Sequence, residues 1–438
     1  MDSSALIGIF MLAMVISLIV SGVHIGISLL SMSILGLWLT TGDFLASAGM
    51  MGSGPFSATF DYTLSVIPLF ILMGLFANAA GASRDLYQAG FAWFGRLPGG
   101  LGIVTVFSNA VFGAVTGVSI ASAAVFSKIA IPEMLRTGYS KRFSTGCVSG
   151  SSVLGMIIPP SVMMILYGIL ADESIGKLFI SGIIPGVVLS INYSVGILLM
   201  VYLFPKYVGK PSQIEKMDWG FRFKALGKAS SIFGLVVVVL GGIYGGIFTP
   251  TEAGAIGCVG SLVIMILKRK VNSREILSSL METGSTTASV FLVFIGAQMY
   301  SRMLSASGLV AEISNFLMKL PISPSLVILG MLLIYIFLGC FLDVLSIMLI
   351  TLPIFLPVIR GFGFDIIWFA VLSVMTIETG LMTPPFGMSV FVVKGSLGDI
   401  VTLEDVFKGS LPFLVILLVT IAIVFYFPIL STWLPRMM

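Results

Sequence analysis

Charge is what this chain has least of. Of its 438 residues only 10% are Asp, Glu, Lys or Arg, against about 25% in a soluble globular domain. A conventional water-facing surface cannot be assembled from so few ionisable side chains. Reactive groups are scarce too: one histidine, His24, and three cysteines, Cys147, Cys258 and Cys340. The cysteines lie inside apolar segments with no CxxC pairing, so neither a metal cluster nor a disulfide framework is expected. A lone histidine argues against zinc or histidine-based catalysis, and His24, between two apolar runs, reads as structural. HExxH, GxSxG and nucleotide motifs are all missing, which leaves an intramembrane enzyme without support. The net charge of +4 says little by itself, and no nucleic-acid partner is expected. The N-terminus, MDSSALIGIF, has no basic region and no evident cleavage site and reads as a retained first span.

Apolar length is abundant instead. Hydrophobic residues make up 58% of the chain. Runs long enough to cross a ~30 Å hydrocarbon core fall at 5–21, 24–41, 63–80, 99–134, 143–171 and 178–204. A second set falls at 229–248, 251–268, 282–304, 325–358, 366–394 and 410–430. The runs are continuous, without the alternation of a barrel strand, and a lipid-exposed backbone must satisfy its own polar groups. The expected fold is therefore all-α, a polytopic helical membrane protein in contact with the lipid bilayer. Ser83–Leu97 and Gly308–Leu320 are amphipathic and read as helices lying at the interface.

Two kinds of run are irregular. The stretch 99–134 is too long for one span, and its middle, Phe112 to Ser122, is small and polar, which suits a re-entrant hairpin. The stretch 325–358 is similar, with Gly339, Asp343 and Ser346 at its centre. Each precedes a helix broken by a double proline, Pro159–Pro160 in 143–171 and Pro384–Pro385 in 366–394. Proline lacks the N–H and clashes with the preceding turn, so these helices unwind there. The irregularities recur in the same order and at a near-constant offset. Gly155, Pro159 and Pro160 reappear in the second half as Gly380, Pro384 and Pro385, and Gly113 reappears as Gly339. The chain is thus read as two repeats, 1–204 and 229–438, joined by a basic linker, 205–228. Each repeat holds a hairpin and a broken helix.

Five spans and one hairpin per half invert the second repeat. With the N-terminus outside, 18 of the 23 Lys and Arg residues fall on inner segments, namely 81–98, 128–142, 205–228, 268–280 and 394–409. The positive-inside rule favours that orientation. The basic linker would rest on anionic lipid headgroups.

Inverted repeats with discontinuous helices mark secondary transporters, with sites near the bilayer midplane. Unwound carbonyls and hydroxyls suit Na⁺, a hard cation, and half-helix N-termini suit a substrate carboxylate. One cluster offers Thr116, Ser119 and Ser122 at the hairpin tip and Ser149, Ser151 and Ser152 before the break. The other offers Gly339, Asp343 and Ser346 at the tip and Thr379, Gly380 and Thr383 at the break. The alternative is that these small residues only permit close helix packing. Asp343 and Glu378 are either functional intramembrane acids or caps of broken helix ends. Glu252, in Thr249-Pro-Thr-Glu-Ala253, reads as part of a helix start.

At these residues the sequence resembles a known family. Gly155-x-x-Ile-Pro-Pro-Ser161, Thr249-Pro-Thr-Glu-Ala253 and Gly380-Leu-x-Thr-Pro-Pro-x-Gly387 look like the large membrane subunit of tripartite ATP-independent periplasmic (TRAP) transporters. The resemblance covers essentially the whole chain. It implies an elevator-type transport domain on a scaffold, located in a bacterial inner membrane. It implies Na⁺-coupled uptake of organic acids such as C4-dicarboxylates or sialic acids. The implied partners are a small four-helix membrane subunit and a periplasmic substrate-binding protein. A stand-alone Na⁺-coupled carboxylate carrier of the same superfamily is the competing reading. By resemblance, one Na⁺ site draws on Thr116, Gly117, Ser119, Gly150, Ser151, Ser152 and Gly155. The other draws on Gly339, Gly380, Thr383 and Phe386, to which the tip cluster adds Asp343. Substrate would sit near the tips, by Ser122 and Thr379. The first tip reads Thr-Gly-Val-Ser where many members have Ser-Gly-Ser-Ser, and Thr376 stands where Asn is frequent.

Overall fold

The computed structural model describes residues 3–210 and 217–438. Lys216 and the rest of 211–216, within the expected linker, lie outside the described residues. The chain opens with α1 (Ser3–Val20), α2 (Ile25–Thr41), α3 (Phe44–Thr59), α4 (Val66–Ala79) and the amphipathic α5 (Ala82–Phe94). A hairpin of α6 (Gly100–Thr116) and α7 (Ser119–Arg136) follows, then the broken α8 (Lys141–Ser152), α9 (Leu154–Ile157) and α10 (Val162–Ala171). The first half ends in α11 (Ile175–Ser181), α12 (Ile183–Leu203) and the single turn α13 (Pro205–Val208). The second half runs α14 (Trp219–Tyr244), α15 (Pro250–Leu267), α16 (Ser273–Ala306) and the amphipathic α17 (Leu309–Lys319). It continues through α18 (Pro324–Gly339) and α19 (Val344–Gly361), then α20 (Ile366–Gly380), α21 (Met388–Leu397), α22 (Leu403–Tyr426) and α23 (Ile429–Thr432). Among the described residues there are eight helical segments long and apolar enough to cross a membrane. The protein is an all-α polytopic membrane protein.

Local chemistry explains where these helices start. Thr249 and Glu252 form a reciprocal capping box at α15: Glu252 N donates to Thr249 Oγ1 at 3.3 Å and Thr249 N to Glu252 Oε2 at 2.8 Å. This satisfies two donors that a helix start otherwise leaves free. Thr402 and Asp405 repeat the device at α22. His24 caps α2, its Nδ1 accepting from Gly26 N, which is the structural role its position suggests. Two elements depart from the apolar runs. The helix α3 is rich in glycine and contains Pro55, so hydropathy does not announce it. The helix α14 begins at Trp219, ahead of the apolar run at 229, because its first turns are amphipathic and carry Arg222, Lys224 and Lys228.

The two halves interlock. The helix α2 packs on α16, α4 on α15, α8 on α22 and α7 on α21. Glycines let backbones touch at these crossings: a Cβ on Gly296 would lie 2.8 Å from the Gly26 carbonyl oxygen, and Gly146 lies against Gly409. Such small-residue contacts drive helix association where lipid removes the hydrophobic gradient. The segments with most basic residues meet at one end of the bundle. Lys268 Nζ reaches Asp85 Oδ2 at 2.5 Å, Arg142 Nε reaches Asp405 Oδ1 at 3.5 Å, and Tyr139 bridges to Gly209. One cavity there is lined by Arg84, Glu133, Phe221 and Lys228 together. A separate group joins Arg360 Nη2 to the Ala171 carbonyl at 2.7 Å and Arg436 to Asp365 at 3.8 Å.

In each half the hairpin is pinned to the broken helix by glycine against glycine. A Cβ on Gly113 would lie 2.6 Å from the Gly155 Cα, and one on Gly339 would lie 2.7 Å from the Gly380 Cα. Gly113→Ala and Gly339→Ala are expected to destabilise the protein by about 1–3 kcal/mol each, since backbone cannot yield to the added methyl. Melting of purified protein in detergent checks this. Gly284→Ala, at an exposed position with nothing within 4 Å, should leave the midpoint unchanged or raise it. Equal midpoints for all three would show that the contacts tolerate a side chain.

Candidate functional site

The first cluster forms where the α6–α7 turn meets the break between α9 and α10. Gly117 ends α6 in the left-handed region, φ 64°, and its N–H returns to the Gly113 carbonyl at 2.9 Å. Only glycine adopts this conformation cheaply. The Gly117 carbonyl accepts from Val162 N at 3.3 Å, and a Cβ at 117 would lie 2.6 Å from the Pro160 oxygen. The tip is therefore laid onto the segment that the Pro159–Pro160 pair unwinds, whose peptide bond is cis. A Cβ on Gly155 would face Val118 O at 3.3 Å and Ser119 Cα at 3.5 Å. Thr116, Gly117, Ser119, Ser151, Ser152, Gly155, Pro159 and Pro160 are all buried. Gly150 is placed differently: the space a side chain would fill there is taken by the Phe413 ring of α22.

The hydroxyls of this cluster mostly spend their protons on helix carbonyls. Thr116 Oγ1 donates to Phe112 O at 3.2 Å, Ser151 Oγ to Cys147 O at 2.5 Å, and Ser152 Oγ to Ser149 O at 2.8 Å. A hydroxyl that donates in this way keeps lone pairs for another partner. Asn109 of α6 ties the cluster together. Its Oδ1 accepts from Ser122 Oγ at 2.5 Å and its Nδ2 donates to Ser151 Oγ at 2.7 Å. Asn109 has no signal in the sequence beyond being an asparagine within an apolar run. Ser149 faces Ser410 of α22, oxygen to oxygen at 2.6 Å, a pairing no local pattern suggests.

The second cluster repeats the plan with a different exposure. The helix α18 ends at Gly339, α20 ends at Gly380, and each glycine lies against the other's backbone. Past Gly380 the chain leaves helical geometry until Met388, with a cis bond at Pro384–Pro385. Thr383 Oγ1 donates to Thr379 O at 2.8 Å, and Thr379 Oγ1 to Met375 O at 3.0 Å. Asp343 is the N-cap of α19, accepting from Ser346 N at 3.2 Å and from the Ser346 hydroxyl. Both of its oxygens thus accept from Ser346 at that helix start and keep lone pairs for another partner. Thr379 and Gly380 are buried, whereas Pro384, Pro385 and Phe386 are exposed, and the Phe386 ring lies 6.0 Å from Phe341. The first break is sealed inside the protein; the second opens at its surface.

One bond joins the clusters directly. Ser119 Oγ, at the first tip, donates to Glu378 Oε1, just before Gly380 in α20, at 2.7 Å. Glu378 therefore caps no end of its own helix. It answers the tip of the other half's hairpin. Together the arrangement offers two groups of oxygen atoms at interrupted helices, in a setting otherwise apolar.

Comparison with known proteins agrees with this architecture. The family model described as "Tripartite ATP-independent periplasmic transporter, DctM component" matches residues 12–430. The C4-dicarboxylate TRAP transporter large permease protein DctM of Pseudomonas aeruginosa is 34% identical over 386 residues, covering 87% of this chain and 88% of that protein. The sialic acid TRAP transporter large permease protein SiaM of Vibrio cholerae is 29% identical, covering 96% of this chain and 97% of its own length. Among solved structures, the Alcanivorax borkumensis YdaH transporter superposes with a TM-score of 0.59 at 14% identity, over 94% of this chain and 98% of that one; this supports the fold alone. On the match over nearly its whole length, the chain belongs to the tripartite ATP-independent periplasmic transporter family, as a large permease of the DctM type.

Proposed function

We propose that this permease imports an organic acid anion using the Na⁺ gradient, receiving its substrate from a periplasmic binding protein and working beside a small membrane subunit. The observation that carries the reading is the duplication of one device. Gly113 meets Gly155 in the first half, and their counterparts Gly339 and Gly380 meet in the second. Each pair holds a hairpin tip against a double-proline break. Oxygen-rich helix interruptions at membrane depth are where secondary transporters hold ions and carboxylates. Two such places suit a cation at each, with the substrate anion near Ser122 and Thr379 between the tips. The backbone at Gly117, Gly155, Gly339 and Gly380 supplies carbonyl oxygens; the Thr116, Ser151, Ser152 and Thr383 lone pairs add to them.

Further elements of the reading follow from the packing. The Ser119–Glu378 bond and the α7–α21 and α8–α22 contacts tie both tips into one body, which favours an elevator carrying both sites together. The convergence of the basic segments at one end favours a cytoplasmic face there and an N-terminus in the periplasm of a bacterial inner membrane. The relatives named for C4-dicarboxylate and sialic acid transport share a carboxylate chemistry, and choice among such anions would rest with the binding protein.

In proteoliposomes containing both membrane subunits and the binding protein, uptake is expected only under an inward Na⁺ gradient and without ATP. Equal accumulation in choline buffer would refute Na⁺ coupling. Uptake that proceeds at full rate without the binding protein would instead point to a stand-alone carrier. Thr383→Ala should weaken Na⁺ dependence by about tenfold, roughly 1.4 kcal/mol, with little change in the yield of folded protein. An unaltered Na⁺ titration would make Thr383 a packing residue.

A further inference from the structure

Among the described residues, Glu378 has no ion-pair partner. It is fully buried in α20. Its Oε1 accepts from Ser119, but Oε2 has no hydrogen-bond partner. Tyr193 of α12, within electrostatic reach, also holds a buried hydroxyl without a partner.

These facts do not fit a purely structural carboxylate. Accepting from Ser119 occupies one oxygen, and an ionised carboxylate leaves the other buried with no partner among the described residues. Nor does a neutral acid fit well, because no acceptor among the described residues lies within hydrogen-bond distance of its O–H at Oε2. A cation at Oε2 removes both defects. The location suits one. Ser119 is the first residue of α7, and its Cα lies against the position of Gly155, so the carboxylate borders the first cluster. The N-terminus of α7 carries a positive dipole end, and Val118 at its cap has no side chain that can accept a hydrogen bond. That dipole favours an ionised carboxylate and repels a bare cation. Neutral hydroxyls and carbonyls alone would hold Na⁺ against this repulsion poorly.

We propose that Glu378 is the charged ligand of the cation at the first cluster, with Oε2 contacting Na⁺ and Ser119 orienting the carboxylate through Oε1. The proposal rests on the Na⁺-coupled reading above and adds what that reading lacks: a fixed negative charge at the first site, supplied by the opposite half of the chain.

The test is the melting midpoint of detergent-purified protein, titrated with NaCl against choline chloride at constant ionic strength. A ligand bound only by the folded state raises the midpoint in proportion to its occupancy. Wild type should respond to Na⁺. Glu378→Gln removes a buried charge but buries an unpaired amide group, so its midpoint in choline should stay near wild type, while its Na⁺ response moves to at least ~10-fold higher concentration. Glu378→Asp, which keeps the charge on a shorter arm, should respond with a shift of about threefold. A Gln variant that titrates like wild type overturns the assignment and leaves Glu378 as an acceptor for Ser119. If the Gln variant gives no folded protein, an unshifted Asp curve overturns it equally. A wild type that ignores Na⁺ while choline and NaCl uptake are equal overturns the Na⁺ reading itself, and this inference with it.

Discussion

A backbone that touches another backbone at a glycine has no freedom to accept a side chain, and this contact sets the geometry of both candidate sites. In the first half it holds α6 against α9; in the second it holds α18 against α20. In each case the glycine sits close in sequence to a proline pair. The two features act together. Proline removes the N–H that would continue the helix, and the glycine contact brings a second helix end to the place where the backbone has become irregular. Without the close approach, the unwound segment would face lipid or a void, where an unpaired carbonyl is costly. With it, the Gly117 carbonyl and Val162 N satisfy each other across the gap, and the remaining oxygens are gathered into one place.

The same plan yields two sites of unlike character. At the first, Asn109 connects Ser122 and Ser151, and the break is closed over by neighbouring helices, with α12 against Ile158 and α22 against Gly150. At the second, Asp343 caps the α19 start and the proline pair lies at the surface. The Asn109 network, with its hydroxyl partners held within the fold, gives the first site a fixed geometry. The recurring glycines and prolines give both places the same backbone device, while the neighbouring side chains differ between them.

Much of this was legible because lipid imposes its constraint on every residue of a span. The apolar runs locate nearly all the long helices, and the two over-long runs break where small and polar residues interrupt them, at 117–118 and 340–343. The amphipathic α5 and α17 are plain from their one-sided patterns. Local hydropathy fails where packing decides the outcome. The helix α3 is held despite its glycines and Pro55, and α14 extends through basic turns that stand clear of the core. At the sites, one-dimensional reading finds the glycines and prolines by their recurrence but not what each glycine touches. Gly113 and Gly155 belong to different apolar runs, and nothing between them states that their backbones meet. The Ser149–Ser410 and Ser119–Glu378 pairs each join one half of the chain to the other. They are products of the interlocked halves and have no local trace.

That interlocking has a mechanical consequence. Two repeats packed as separate bodies could respond to their ligands independently. Here the tip of the first hairpin is bonded to the helix whose end forms the second cluster, so displacement of Ser119 must pull on Glu378 and hence on the adjoining Thr379 and Gly380. Both partners of this bond, Ser119 and Glu378, are fully buried. A link of that kind passes a change at one break to the other through a single contact. The energy of the junction therefore depends on the charge placed beside Glu378.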